Sequence, residues 1–156
     1  MGPAKSRALH IISPGIHELD YPLFIPGNMG LYGPLVLDTT PVEVADPELA
    51  RWLDQGETVM MCMGTHYHYT ESQIHAVIDG FLSAVSRDSS IQFFWKLSAK
   101  DRFEGVIDKL LANPKDRERF RIVDWIDADP AAVMEHPNVV VSIHHGGANS
   151  YYEAAR

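Results

Sequence analysis

From Thr58 onward, apolar and polar residues follow two alternating rhythms. Val59 to Met63 is a continuous apolar run, as in a strand covered on both faces. Ile74, Val77, Ile78, Phe81, Leu82 and Val85 then recur at steps of three and four, which builds one apolar helix stripe. Thr70 and Gln73 stand at capping-box spacing in front of it. Ile91 to Leu97 reads as a second strand. A helix with Phe103, Val106, Ile107, Leu110 and Leu111 on its core face follows, ended by Pro114. Phe120 to Trp125 is the third strand, followed by a short helix from Pro130 capped by Asp129. Val139 to Ile143 is the fourth strand, and a last helix runs from about Gly147 to Arg156. This alternation predicts an α/β fold: a Rossmann-like parallel sheet with helices on both faces. Counting these four strands from one, the expected order is 3-2-1-4.

Residues 1–57 have a different texture. Pro14-Gly15, Pro22, Pro26-Gly27, Gly30 and Gly33-Pro34 break them into short pieces, an extended, linker-like lead-in. One short helix is expected within Asp46 to Gln55, with Asp46 as cap, Pro47 at the first position and Gly56 as stop. Tyr21, Leu23, Phe24, Ile25, Leu31 and Tyr32 are too many apolar residues for a free tail. Residues 58–156 form the second unit. Their last helix breaks off mid-pattern, where a doubly wound sheet continues with another strand. The expectation is therefore a truncated domain with an uncovered sheet edge, open to self-association.

The 156 residues have the size of a single domain, with ordinary apolar (46%) and charged (22%) fractions. A formal net charge of −8 argues against nucleic-acid binding, which needs a positive field. It leaves a nucleotide pocket open, because backbone amides can hold a diphosphate. Cys62 is the one cysteine; it reads as a buried strand residue and fits a reducing, cytoplasmic setting. No integral membrane segment and no secretory leader is evident. Met1 to Ser6 fits the N-myristoylation pattern formally, but Pro3 next to the acceptor glycine argues against it.

In a doubly wound sheet, ligands bind outside the carboxyl ends of the strands, where strand order reverses. With the order 3-2-1-4, that point brings together the turns Gly64-Thr65-His66 and His144-His145-Gly146-Gly147. Gly146 and Gly147 permit a sharp bend, and the next helix offers amides and a positive dipole end for a phosphate. His145, Asn149 and Ser150 add side-chain contacts. Glu153, one helical turn beyond Asn149, can accept hydrogen bonds from a ribose diol. The bland alternative is a Gly-Gly turn with ordinary capping residues.

His145-Gly146-Gly147-Ala148-Asn149-Ser150-Tyr151-Tyr152-Glu153-Ala154 resembles the donor-binding signature of the UDP-glycosyltransferases. Met63-Gly64-Thr65 resembles the first turn of their donor domain, and Phe94-Trp95-Lys96-Leu97 its second strand. Tyr32-Gly33-Pro34-Leu35 resembles the end of their interdomain linker, and the Trp125 to Pro130 stretch is closest to fungal members. The resemblance implies an incomplete GT-B C-terminal domain that binds a UDP-sugar and transfers a hexose to a small lipophilic acceptor. It implies Trp125 stacked on uracil, Ile126 backbone on the base, and Glu153 on the ribose. His145, Gly147, Asn149 and Ser150 would hold the diphosphate with Gly64 and Thr65. No cofactor or metal is expected, and the partner is a separate N-terminal acceptor-binding domain or chain. No residue here is assigned as catalytic base, so the isolated chain is expected to be inactive.

Asp127-Ala128 and two extra residues before His136 depart from the family pattern near the base contacts. A non-catalytic remnant, a nucleotide-binding module without turnover and a flavodoxin-like domain are the alternatives. Eight histidines raise a metal site, but no His-Glu-x-x-His and no cysteine partner supports one. Trp52 and Trp95 read as packing residues.

Overall fold

The central strand, β3 (Thr58–Cys62), is the reason both faces of the sheet are covered: Met60 and Met61 are both buried, each in a different apolar cluster. In the computed structural model, which describes residues 10–17, 22, 24–33 and 37–155, the first strands lie apart from it. β1 (Ile11–Ser13) and β2 (Met29–Leu31) pair in parallel as a separate two-stranded sheet. The Met1–Ser6 pattern, Tyr21, Leu23 and the Pro34-Leu35 end of the linker-like motif lie outside the described residues.

Two helices precede β3. α1 (Val42–Ala45) is a single turn that the breaker pattern does not announce. α2 (Pro47–Leu53) starts as its sequence predicts, with Pro47 at the first position and the Asp46 carboxylate accepting from Leu49 N at 2.9 Å. After β3, α3 (Glu71–Arg87) carries the full capping box, with Thr70 and Gln73 each bonding the other's backbone amide. β4 (Gln92–Lys96) is buried at every position. A 3₁₀ turn at Lys100–Phe103 leads into α4 (Glu104–Leu110). Pro114 does more than end that helix: it opens a further turn, α5 (Pro114–Arg117), capped by Asn113. β5 (Phe120–Val123), α6 (Pro130–Met134), β6 (Val139–His144) and α7 (Ala148–Ala154) complete the described order. The third strand thus stops at Val123, short of Trp125, which frees the tryptophan for a loop at the strand's carboxyl end.

The four long strands form one all-parallel sheet, β5-β4-β3-β6. Alternation of side chains along each strand divides the core into two layers. Met61, Phe93 and Trp95 face α3 and α4, where Ile74, Ile78 and Ile107 meet them and Phe81 stacks on Phe93 with centroids 3.4 Å apart. Met60 and Phe94 face the other way, onto Val42, Leu49 and Leu53 of α1 and α2 and Val133 of α6. Helices therefore cover both faces, as a parallel sheet requires. Trp95 is a core residue, and Trp52 packs at the edge of the second layer.

The amino ends of the strands are closed by a polar knot. Buried Gln92 donates to Thr58 Oγ1 at 2.8 Å and to the Trp52 carbonyl at 3.0 Å. Asn138 donates to the Leu53 carbonyl at 2.9 Å. These bonds satisfy the last carbonyls of α2, which a helix end leaves without intrahelical partners. Two neighbouring cavities lie at the carboxyl ends.

Candidate nucleotide-binding crevice

Two neighbouring cavities open at the carboxyl ends of β3, β4 and β6, sharing Gly64, Thr65 and Ser150 in their walls. The first, about 260 Å³, is bounded on further sides by Trp125, Ile126 and Glu153. The second, about 660 Å³, is bounded by His145, Gly147 and Asn149. All nine residues singled out from the sequence are thus brought to one crevice, at the reversal of strand order between β3 and β6.

The backbone explains how two turns approach so closely. Gly64 adopts φ +75° and Gly146 φ +73°, left-handed conformations that L side chains rarely take. The His145 ring lies between the two turns. A β-carbon added at Gly64 would meet its Nε2 at 2.9 Å, and one at Gly147 would meet its Cε1 at 2.2 Å. His145 Nδ1 accepts from Gly147 N at 2.9 Å, so in the neutral ring the proton sits on Nε2. His144 Nδ1 accepts from Gly146 N at 3.1 Å in the same way.

The glycine amides at 146 and 147 are turned back onto the histidine rings. On this side the second cavity is lined by His145, Gly147 and the first residues of α7, Ala148, Asn149 and Ser150.

On the other side, Trp125 is 67% exposed, so one indole face is free for stacking. Ile126 beside it is buried and anchors the loop in the second core layer. Asp129 caps α6 by accepting from Ala131 N at 2.9 Å, which fixes where that loop ends. Asp124 and Asp129 are thereby occupied structurally, the former accepting from Lys100 N at 3.5 Å.

Three further residues line the first cavity beyond those nine, of which the sequence pattern places only His144, in one of the two turns at the reversal. Lys96, Cys62 and His144 stand at one register across β4, β3 and β6. Cys62 is half-buried rather than fully buried. Strand parity contains the signal: each is two positions beyond a residue of the second layer or its register partner, Phe94, Met60 and Ser142. Among the described residues, no group of three or more His, Cys, Asp or Glu is placed to hold a metal ion. None of their helices is long and apolar enough to cross a membrane.

No protein-family model matches the sequence. Individual relatives do. A glycosyltransferase of Sordaria araneosa, sdnJ, is 32% identical over 148 residues, covering 92% of this chain and 29% of that protein. A UDP-glycosyltransferase of Talaromyces amestolkiae is 26% identical, covering 97% of this chain and 31% of its own length. Among solved structures, Os79 from O. sativa superposes with a TM-score of 0.54 at 21% identity, over 68% of this chain and 22% of that one. LpCGTa, solved in complex with UDP, gives 0.54 at 24% identity, over 82% and 26%. The chain therefore has an α/β fold of the GT-B type. More particularly, it is homologous to the UDP-glycosyltransferases, in the manner of part of a donor-binding domain. It spans about 29% and 31% of the two relatives named.

Proposed function

We propose that this chain is the UDP-sugar-binding portion of a glycosyltransferase that moves a hexose from a UDP-sugar to a small lipophilic acceptor. The observation that carries this reading is the convergence of Gly64, Thr65, His145, Gly147, Asn149, Ser150, Trp125, Ile126 and Glu153 on one crevice. Its position at the β3/β6 reversal and the homology to UDP-glycosyltransferases support it further.

The roles follow from the chemistry of each group. Uracil stacks on the free face of Trp125, and the backbone at Ile126 reads the base edge. Glu153 accepts from the ribose hydroxyls. The diphosphate lies along the second cavity, where His145 Nε2–H, the Asn149 and Ser150 side chains and the Thr65 turn donate to it. Donors aimed at a leaving diphosphate stabilise the charge that develops as the sugar departs, which is how such a site assists transfer without a metal. The acceptor and the base that deprotonates it come from a complementary acceptor-binding domain or chain.

Calorimetry with UDP, AMP and flavin mononucleotide tests the binding half of this reading. UDP preference is expected, and equal indifference to all three contradicts it. A UDP-release assay, with and without a complementary acceptor half, tests the transfer. Release only in the mixture is expected; binding without release in any mixture means a module without turnover.

A further inference from the structure

One strongly buried ammonium in the crevice makes no ion pair among the described residues, although Glu153 lines the same cavity. Lys96 ends β4 and is 7% exposed, yet it lines the first cavity. Its ammonium donates to Ser98 Oγ at 2.9 Å and lies 5.5 Å from the centroid of the Trp125 ring. It takes part in none of the ion pairs among the described residues. No other Lys or Arg among them lines either cavity. Burying an ammonium without a carboxylate is costly, and a chain of net charge −8 has many carboxylates to offer. Keeping one without a carboxylate in the floor of a crevice indicates an anion that arrives from outside.

Its neighbours point the same way. Lys96 and His144 flank Cys62 at one register across three strands, and all three line the cavity. His144 Nδ1 is engaged by Gly146 N, so its donor is Nε2. The link from Lys96 through Ser98 to the Gly64 carbonyl, 3.5 Å from Ser98 Oγ, ties the ammonium to the turn shared by both cavities.

We propose that Lys96 is a phosphate-binding residue of the nucleotide site, reaching the diphosphate from the floor of the first cavity across the Gly64 turn that both cavities share. This rests on the nucleotide-binding reading.

The test is titration of UDP and of uridine against the wild-type chain, Lys96→Met and Lys96→Arg, at low and moderate salt. Met matches the lysine stem in length, so the fold is expected to persist, with thermal unfolding as the check. UDP affinity should fall about tenfold or more in Lys96→Met, as for loss of a charged hydrogen bond. Its salt dependence should shrink, uridine affinity should hold or rise, and Lys96→Arg should restore most of the UDP binding. Equal losses for UDP and uridine would mean a packing role and overturn the proposal, as would unchanged UDP affinity in a folded Lys96→Met. If Lys96→Met does not fold, Lys96→Arg decides: wild-type UDP and uridine affinities and salt dependence support the proposal, and equal losses for both ligands overturn it. Failure of the wild-type chain to bind UDP overturns the nucleotide reading itself and is distinguishable from these results.

Discussion

The His145 imidazole lies against Gly147 so closely that its Nδ1 accepts the Gly147 amide at 2.9 Å. A methyl group at Gly147 would fall 2.2 Å from the ring's Cε1. Two consequences follow from this pairing. The bond selects the tautomer that presents Nε2–H, and the missing β-carbon leaves room for the ring. Gly147 itself has φ −64° and ψ 151°, which alanine adopts freely. Its requirement for glycine is therefore steric and specific to the ring.

Gly147→Ala should accordingly leave the fold intact, with stability changed by no more than about 0.5 kcal/mol. UDP affinity should fall about tenfold, since the displaced ring no longer donates where the phosphate lies. In a His145→Ala background the same change should do almost nothing, because the clash is gone. Calorimetry on the two single variants and the double variant measures this non-additivity.

At the opposite end of the sheet, stability and binding separate. Gln92→Ala removes the buried donor to Thr58 Oγ1 and to the Trp52 carbonyl, while Asn138 continues to donate to the Leu53 carbonyl. Urea unfolding should show a loss of about 1–3 kcal/mol. UDP affinity should be unchanged, because this knot lies a full strand length from the crevice.

Tyr69 supplies a pH signature. Burial pushes its phenol up from 10.0 to about 12, partly offset by the hydrogen bond from the Trp95 indole. The unfolded chain releases this proton first, so the contribution to stability is complete below pH 10 and is lost as pH rises from 10 towards 12. An ultraviolet titration should show one tyrosine ionising late, and Tyr69→Phe should abolish that late step. A Tyr69 that ionises with the exposed tyrosines contradicts the assignment.

Which parts of this were legible in the sequence depends on how local the signal is. Thr70-Gln73, Asp46-Pro47 and Asp129-Pro130 mark helix starts because caps act within three or four residues, and all three make the predicted bonds. The two glycine-bearing turns were legible because only glycine adopts φ near +75° without strain. α1 was not, because a single turn has too short a period to read against the prolines around it. The pairing of β1 with β2 was not, because Ile11 and Met29 are joined by register rather than by any neighbouring residue. Lys96 was hidden for the same reason. A lysine at a strand end reads as a solvated terminus until registration places it beside Cys62, under the Trp125 ring. The inward turn of the Gly146 and Gly147 amides was likewise invisible, since it depends on two histidine rotamers.

Two-dimensional amide NMR during a UDP titration bears most directly on the crevice. The resonances of Gly64, Thr65, Gly147 and Ser150 and the Trp125 indole N–H should shift together along one binding curve. Those at the Gln92 end of the sheet should stay still. A titration that leaves these five signals in place, or moves them along unrelated curves, contradicts a single nucleotide site at the β3/β6 reversal.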